Sequence, residues 1–173
     1  MTCDEYLRTV DDSHQMTTAK AHIAELCQVV AGQEWRILEL GSHAGISAAA
    51  LAIAAPCSTV VSVDLCDTVP QTYREAYWAA WGIANIQAIA DDAGRFLRDS
   101  AMHVEPWDFI FHDAVHGEVA VPEYLVAADI TQRLAIHDWE QLSPTSQAQV
   151  AMRFDKWTAT ADEKGRQLFV GWR

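Results

Sequence analysis

Between Thr17 and Ala31 apolar residues recur at helical spacing (Ala21, Ile23, Ala24, Leu26, Cys27, Val30), and Gly32 is placed to stop that helix. The period then changes. Trp35 to Leu40 is a short apolar run ending at Gly41, and Ala44 to Ala55 returns to helix-forming residues before Pro56. This pattern predicts a strand, a glycine turn and a helix. Ser58 to Val63 is β-branched and apolar and stops at Asp64, and Thr72 to Trp81 predicts a second helix closed by Gly82. Three further strands are predicted at Ile86 to Ala90, Trp107 to His112 and Arg133 to His137, separated by helices at Ala93 to Asp99 and Val119 to Ile130. The final third reads as a helix from Thr145 to Ala161 and a strand from Gln167 to Trp172. Strands alternating with helices predict a three-layer α/β fold, a mostly parallel sheet of about six strands covered on both faces.

Residues 1–173 read as one domain, with residues 1–32 an N-terminal helical region, because no period repeats and no Pro, Gly or Ser tract marks a linker. Half of the residues are apolar, enough to bury a full core. The longest run of small apolar residues, Ala48 to Ala55, is far short of the ~20 residues a membrane span requires and predicts a buried helix face. Against 24 Asp and Glu stand 12 Lys and Arg, a formal net charge of −12 that repels phosphate backbones and anionic lipid heads. Neither free nucleic acid nor a membrane is expected as a partner, and Arg95 with Arg98 reads as a solvated helix face. Cys3, Cys27, Cys57 and Cys66 show no C-x-x-C spacing, and the chain opens without a basic region and apolar signal core. Reduced thiols in a cytoplasm are the expectation.

In an open sheet of this kind ligands bind beyond the carboxyl ends of the strands, which selects the residues after Leu40, Val63, Ala90, His112 and His137. The first is Glu39-Leu40-Gly41-Ser42-His43-Ala44-Gly45, an acid at a strand end followed by two glycines that open a helix. Gly41 permits the turn, Gly45 lets the helix begin close to a ligand, and the free amides there favour a carboxylate or phosphate. His43 stands where the dinucleotide pattern G-x-G-x-x-G needs its second glycine, which argues against NAD. Asp64, at the next strand end, can accept both hydroxyls of an adenosine ribose.

These residues resemble the first motifs of the class I S-adenosylmethionine-dependent methyltransferases, over about Trp35 to Trp139. Glu39, Gly41 and Gly45 match the first motif, Asp64 the ribose-binding acid, and Asp92 in Ala90-Asp91-Asp92-Ala93 the acid that contacts adenine. The resemblance implies a Rossmann-like methyltransferase fold with strand order 3-2-1-4-5-6. It also implies a cofactor site for S-adenosylmethionine at Glu39, Gly41, Ser42, His43, Gly45, Asp64, Asp92 and Ala93, with Phe96 or Ile86 flanking the adenine. The implied activity is methyl transfer to a small-molecule acceptor. The family's sheet usually has seven strands, so either one is missing here or Met1 to Thr18 and a partner subunit complete the acceptor pocket.

A second constellation lies in His112-Asp113-Ala114-Val115-His116 and His137-Asp138-Trp139. Asp113, His116 and Asp138 are the candidate catalytic residues, with His112 or His116 as the base, because carboxylates and imidazoles together can hold and move a proton. The pattern also resembles a subgroup of metal-binding O-methyltransferases and cephalosporin-hydroxylase-like proteins. That resemblance implies a divalent cation such as magnesium at Asp113, His137 and Asp138, although His137 stands where an acid or neutral residue is usual. The alternative is that Asp113 and Asp138 cap the helices that follow. Two other functions stay open: a non-catalytic binding protein on the same fold, and a metal-dependent hydrolase or hydroxylase-like protein using the Asp and His cluster. His14 and His22 read as surface or packing residues, and Trp78 with Trp81 as core or as a contact in a homo-oligomer.

Overall fold

The computed structural model describes residues 1–10, 18–103 and 106–173, so His14 and Thr17 lie outside the described residues, as does most of the stretch that joins α1 (Cys3–Thr9) to α2 (Lys20–Val30). From α2 the chain alternates through β1 (Arg36–Leu40), α3 (Ile46–Ala54), β2 (Thr59–Asp64), α4 (Gln71–Ala80), β3 (Ile86–Ala90), α5 (Ala93–His103), β4 (Trp107–His112), α6 (Val121–Asp129) and β5 (Thr131–His137). It ends with α7 (Pro144–Ala151), β6 (Lys156–Ala161) and β7 (Gln167–Trp172). The sheet has seven strands in the order β3-β2-β1-β4-β5-β7-β6. The pairs from β3 to β5 are parallel, and β7 runs antiparallel to both β5 and β6.

The expected order holds through the first five strands, and the departure lies in the last third. Helix was expected from Thr145 to Ala161, but α7 stops at Ala151 and Lys156–Ala161 is an edge strand, so the sheet has seven strands rather than about six. Trp157, Ala159 and Ala161 alternate with Lys156, Thr158 and Thr160, a period-2 pattern rich in β-formers. Asp162 then closes a hairpin turn, its side chain accepting from the amides of Lys164 and Arg166 at 2.9 Å while Gly165 takes φ +81°. All six positions of the strand are exposed, and the run follows soon after α7, which is why it read as a helix tail.

Alternation along the strands sorts the core into two faces. Leu38 and Leu40 of β1 join Leu97 of α5, Tyr124 of α6 and Val150 of α7 on one side. Ile37 joins Leu26 of α2 and Leu51 of α3 on the other, where α1 and α4 complete the layer through Tyr6 and Trp78. Ala48, Ala49 and Ala50 are fully buried, and their small size lets α3 lie close between α2 and the sheet. Trp78 and Trp81 both pack within the chain, Trp81 edge-on to Tyr6 at 5.4 Å.

The same layer corrects the expectation for the thiols. Cys3 of α1 and Cys27 of α2 are bonded as a disulfide with their Cα atoms 6.7 Å apart. Packing of the two helices creates a pairing that spacing in the sequence does not encode. Cys57 and Cys66 are free. Among the described residues no helix is long and apolar enough to cross a membrane.

Candidate active site

Parallel pairing sets Leu40, Val63, His112 and Ile136 side by side, so the loops after β1, β2, β4 and β5 leave the sheet at one edge. A cavity of about 460 Å³ opens there, within the range of small-molecule and cofactor sites. Its wall includes Gly41, Ser42, His43, Asp64, Asp92 and Ala93, and also Asp113, His116, His137 and Asp138.

Gly41 has φ +86°, and a Cβ there would come within 2.6 Å of the Ala114 backbone, so only glycine lets the loops after β1 and β4 cross. Gly45, at φ +81°, is covered by Trp78, whose indole Nε1 donates to the Gly45 carbonyl at 2.8 Å. Gly45 therefore shapes the loop from behind the cavity rather than lining it. Asp64 joins two loops: Oδ2 accepts from the His43 amide at 2.9 Å and Oδ1 from the Cys66 amide at 2.8 Å. Asp92 accepts from the Arg95 amide at 2.8 Å and so caps α5 while lining the cavity. Ile86 and Phe96 are not on the wall.

Glu39 lies beneath the loop, fully buried and off the wall. Burial pushes its pKa up to about 7, only partly opposed by the hydroxyls of Ser47 and Ser62, the latter donating to Oε2 at 2.7 Å. Beside this layer sits Arg74 of α4, also fully buried, its guanidinium bonded to the hydroxyl of Ser42 and, at 2.6 Å, to the sulfur of Cys66.

At the other end of the cavity, Asp113 is held on both oxygens: His137 Nδ1 lies 3.0 Å from Oδ1, and the Thr18 hydroxyl donates to Oδ2 at 2.7 Å. Asp138 Oδ1 is 3.3 Å from the same His137 nitrogen. His116 is placed between the carboxylates, Nδ1 3.6 Å from Asp138 Oδ2 and Nε2 3.8 Å from Asp113 Oδ1. Burial pushes the pKa of His137 down, but the hydrogen bond to Asp113 and the charges of Asp113 and Asp138 outweigh it, and the net shift is upward. His22, buried and edge-on to His137 at 5.4 Å, is shifted down by burial and then by the charge of His137. Neither of its ring nitrogens has a hydrogen-bond partner among the described residues.

The capping role considered for these acids is not what the side chains do. Asp138, at φ +56°, precedes a short 3-10 turn (Trp139–Gln141) without capping it, and its carboxylate faces the histidines instead. His112 turns away from the cavity to Glu123 at 3.0 Å and stacks edge-on with Tyr124, which removes it as a base. The donor set does not fit a divalent cation. Each carboxylate lies within ion-pair distance of an imidazole, and among the described residues no three His, Cys, Asp or Glu side chains form a group that could hold a metal ion. Of the expected cation ligands, Asp113 is hydrogen-bonded to His137, and Asp138 lies 3.3 Å from the same ring nitrogen with its Oδ1 lacking a hydrogen-bond partner among the described residues.

Thr18, Arg166 and Arg74 were not singled out by the sequence. Thr18 and Arg166 come from segments remote from the motifs. Arg74 had one legible signal: it is four residues before Trp78, on the buried face of α4.

Known proteins resemble this chain in fold rather than in sequence. No family model matches it, and no curated protein matches it in sequence. Solved structures do. The O-methyltransferase from Bacillus cereus, solved with SAH, superposes with a TM-score of 0.70 at 18% identity, over 99% of this chain and 90% of that one. The O-methyltransferase TomG from Streptomyces achromogenes, solved with SAM, gives 0.67 at 19% identity over 97% and 85%. The fold is the Rossmann-like methyltransferase fold. Within it, precorrin-6y C5,15-methyltransferase from Geobacter metallireducens gives 0.68 at 9% identity over 95% of this chain and 97% of that one. Proteins named for different acceptors thus share the methyltransferase fold with this chain, and the acceptor has to be argued from the site.

Proposed function

We propose that this chain is an S-adenosylmethionine-dependent methyltransferase acting on a small-molecule acceptor. One observation carries the reading: the glycine loop, Asp64 and Asp92 form one wall of a single cavity whose other wall is the Asp113, His116, His137 and Asp138 cluster. The first wall suits the cofactor. Gly41 lets the loops after β1 and β4 close on each other at the cavity wall, Asp64 stands level with the end of β2 where ribose hydroxyls would be accepted, and Asp92 and Ala93 line the same cavity.

When bound, S-adenosylmethionine supplies an activated methyl group, so the protein has to align a nucleophile and take its proton. His116 is the base in this reading, because it is one-third exposed at the cavity while Asp113 and Asp138 flank it at 3.8 and 3.6 Å. Asp113 and Asp138 orient the imidazole and stabilise it once protonated, the task of a carboxylate behind a catalytic histidine. No cation enters this scheme, since no three His, Cys, Asp or Glu side chains of the described residues form a group that could hold one. A net charge of −12 makes a nucleic-acid acceptor unfavourable.

The test is calorimetric titration of the purified chain with S-adenosylmethionine and S-adenosylhomocysteine. Micromolar binding of both is expected; absence of binding to either would overturn the reading.

A further inference from the structure

We infer that Arg74, acting through Ser42, recognises the carboxylate of the cofactor's amino-acid end. This rests on the reading of the cavity as an S-adenosylmethionine site. Arg74 is the largest fully buried side chain of the described residues. A buried guanidinium without an anion is costly, yet no carboxylate of the described residues forms an ion pair with it, and its Nε has no hydrogen-bond partner among the described residues. Its bonds go to the Ser42 hydroxyl and the Cys66 sulfur. Glu39, the buried carboxylate whose charge it feels, has its pKa pushed up by burial. The charge is built into the site, and the described residues give it no ion-paired carboxylate.

Ser42 converts that charge into a directed contact. Its oxygen accepts from Arg74, which leaves its own O–H to donate, and Ser42 lines the cavity in the loop that leads into α3. A carboxylate set there would receive a hydroxyl proton polarised by the guanidinium behind it, together with the free amides ahead of α3. A phosphate would meet the same donors but carries more charge past Asp64, Asp67, Asp91 and Asp92, which also line the cavity. A single carboxylate on a ligand that also bears positive charge suits both the donors and the acids. Arg74 is a positioning residue here, since Ser42 is the group at the cavity.

The experiment compares S-adenosylmethionine with decarboxylated S-adenosylmethionine, which differs only in that group, by calorimetric titration of the wild-type chain, Arg74→Met and Ser42→Ala. The expected result is that each variant loses about tenfold in affinity for S-adenosylmethionine, the scale of a charge-assisted hydrogen bond, while binding of the decarboxylated form is unchanged. Equal losses on both ligands, or no loss on either, would overturn the inference. Ser42→Ala leaves the buried charge in place, so it decides the matter if Arg74→Met does not fold. Should the wild-type chain bind neither ligand, the cofactor reading falls and takes this inference with it; binding without the selective loss sinks the inference alone.

Discussion

His137 Nδ1 lies 3.0 Å from Asp113 Oδ1, across the carboxyl ends of the neighbouring parallel strands β5 and β4. An ionised carboxylate only accepts, so Nδ1 carries the proton, and the ring orientation is fixed by the strand register rather than by a mobile loop. Thr18 holds the second oxygen of Asp113, which ties the start of α2 to the same point.

This pair should be visible in the pH dependence of stability. The groups around His137 are His22, whose proton would oppose its own, Arg166, and the acids Asp113 and Asp138. Its folded pKa is raised above the ordinary 6.5, so its contribution is fully present below about pH 6.5 and fades as pH rises through the folded value. Asp113→Asn should therefore lower the melting temperature more at pH 6 than at pH 9. A difference that stays constant across that range would show that the imidazolium does not stabilise the fold.

His116→Gln should leave S-adenosylhomocysteine binding intact and reduce kcat by about 10²- to 10⁴-fold, the usual contribution of a positioned base. Because the ring sits between Asp113 and Asp138 without covering the glycine loop, its removal has no route to the cofactor wall. Turnover at the wild-type rate with an identified acceptor would reassign the base.

Two carboxylates on the cofactor wall should separate by what else they hold. Asp92 caps α5, so Asp92→Ala should cost about 1 kcal/mol of stability in denaturant titrations. Asp64 instead anchors the amides of His43 and Cys66 in two loops of the cavity, and Asp64→Ala should abolish measurable cofactor binding by calorimetry. Retained micromolar binding in Asp64→Ala would remove Asp64 from the cofactor site.

Much of this site was legible because its parts announce themselves locally. A strand that ends in glycine before a helix can only place Gly41 and Asp64 at the same edge of a parallel sheet, and the edge gathers Asp113, His116, His137 and Asp138 as well. What was not legible depends on tertiary packing. The pairing of Cys3 with Cys27, the burial of Arg74 and the reach of Thr18 to Asp113 are contacts between elements far apart in sequence. Lys156–Ala161 failed for a different reason: its alternation is short and lies on a strand exposed along its whole length, soon after α7, so it read as the tail of that helix. Glu39 was read as a ligand contact because it belongs to the motif, but alternation along β1 sends it to the buried face with Ile37 and away from the cavity.

That placement makes Glu39 a source of pH dependence in its own right. It is fully buried, Ser62 donates to Oε2 at 2.7 Å, and Oε1 has no close hydrogen-bond partner among the described residues, so burial dominates and lifts the pKa from 4.5 to about 7. A carboxyl group raised in the folded state stabilises most below its unfolded value, and that contribution is lost as pH rises from about 4.5 through 7. A shift of this size corresponds to about 3 kcal/mol between the two limits. Glu39→Gln cannot ionise, keeps the shape, and offers Ser62 an amide oxygen in place of the carboxylate. Urea unfolding at pH 5 and pH 8 should therefore move in favour of the variant by up to about 3 kcal/mol at the higher pH, with Arg74 drawing the value down to the extent that its charge reaches the carboxylate. An equal stability difference at the two pH values would mean that Glu39 is already ionised in the folded chain, and that Arg74 has its counter-ion within the protein.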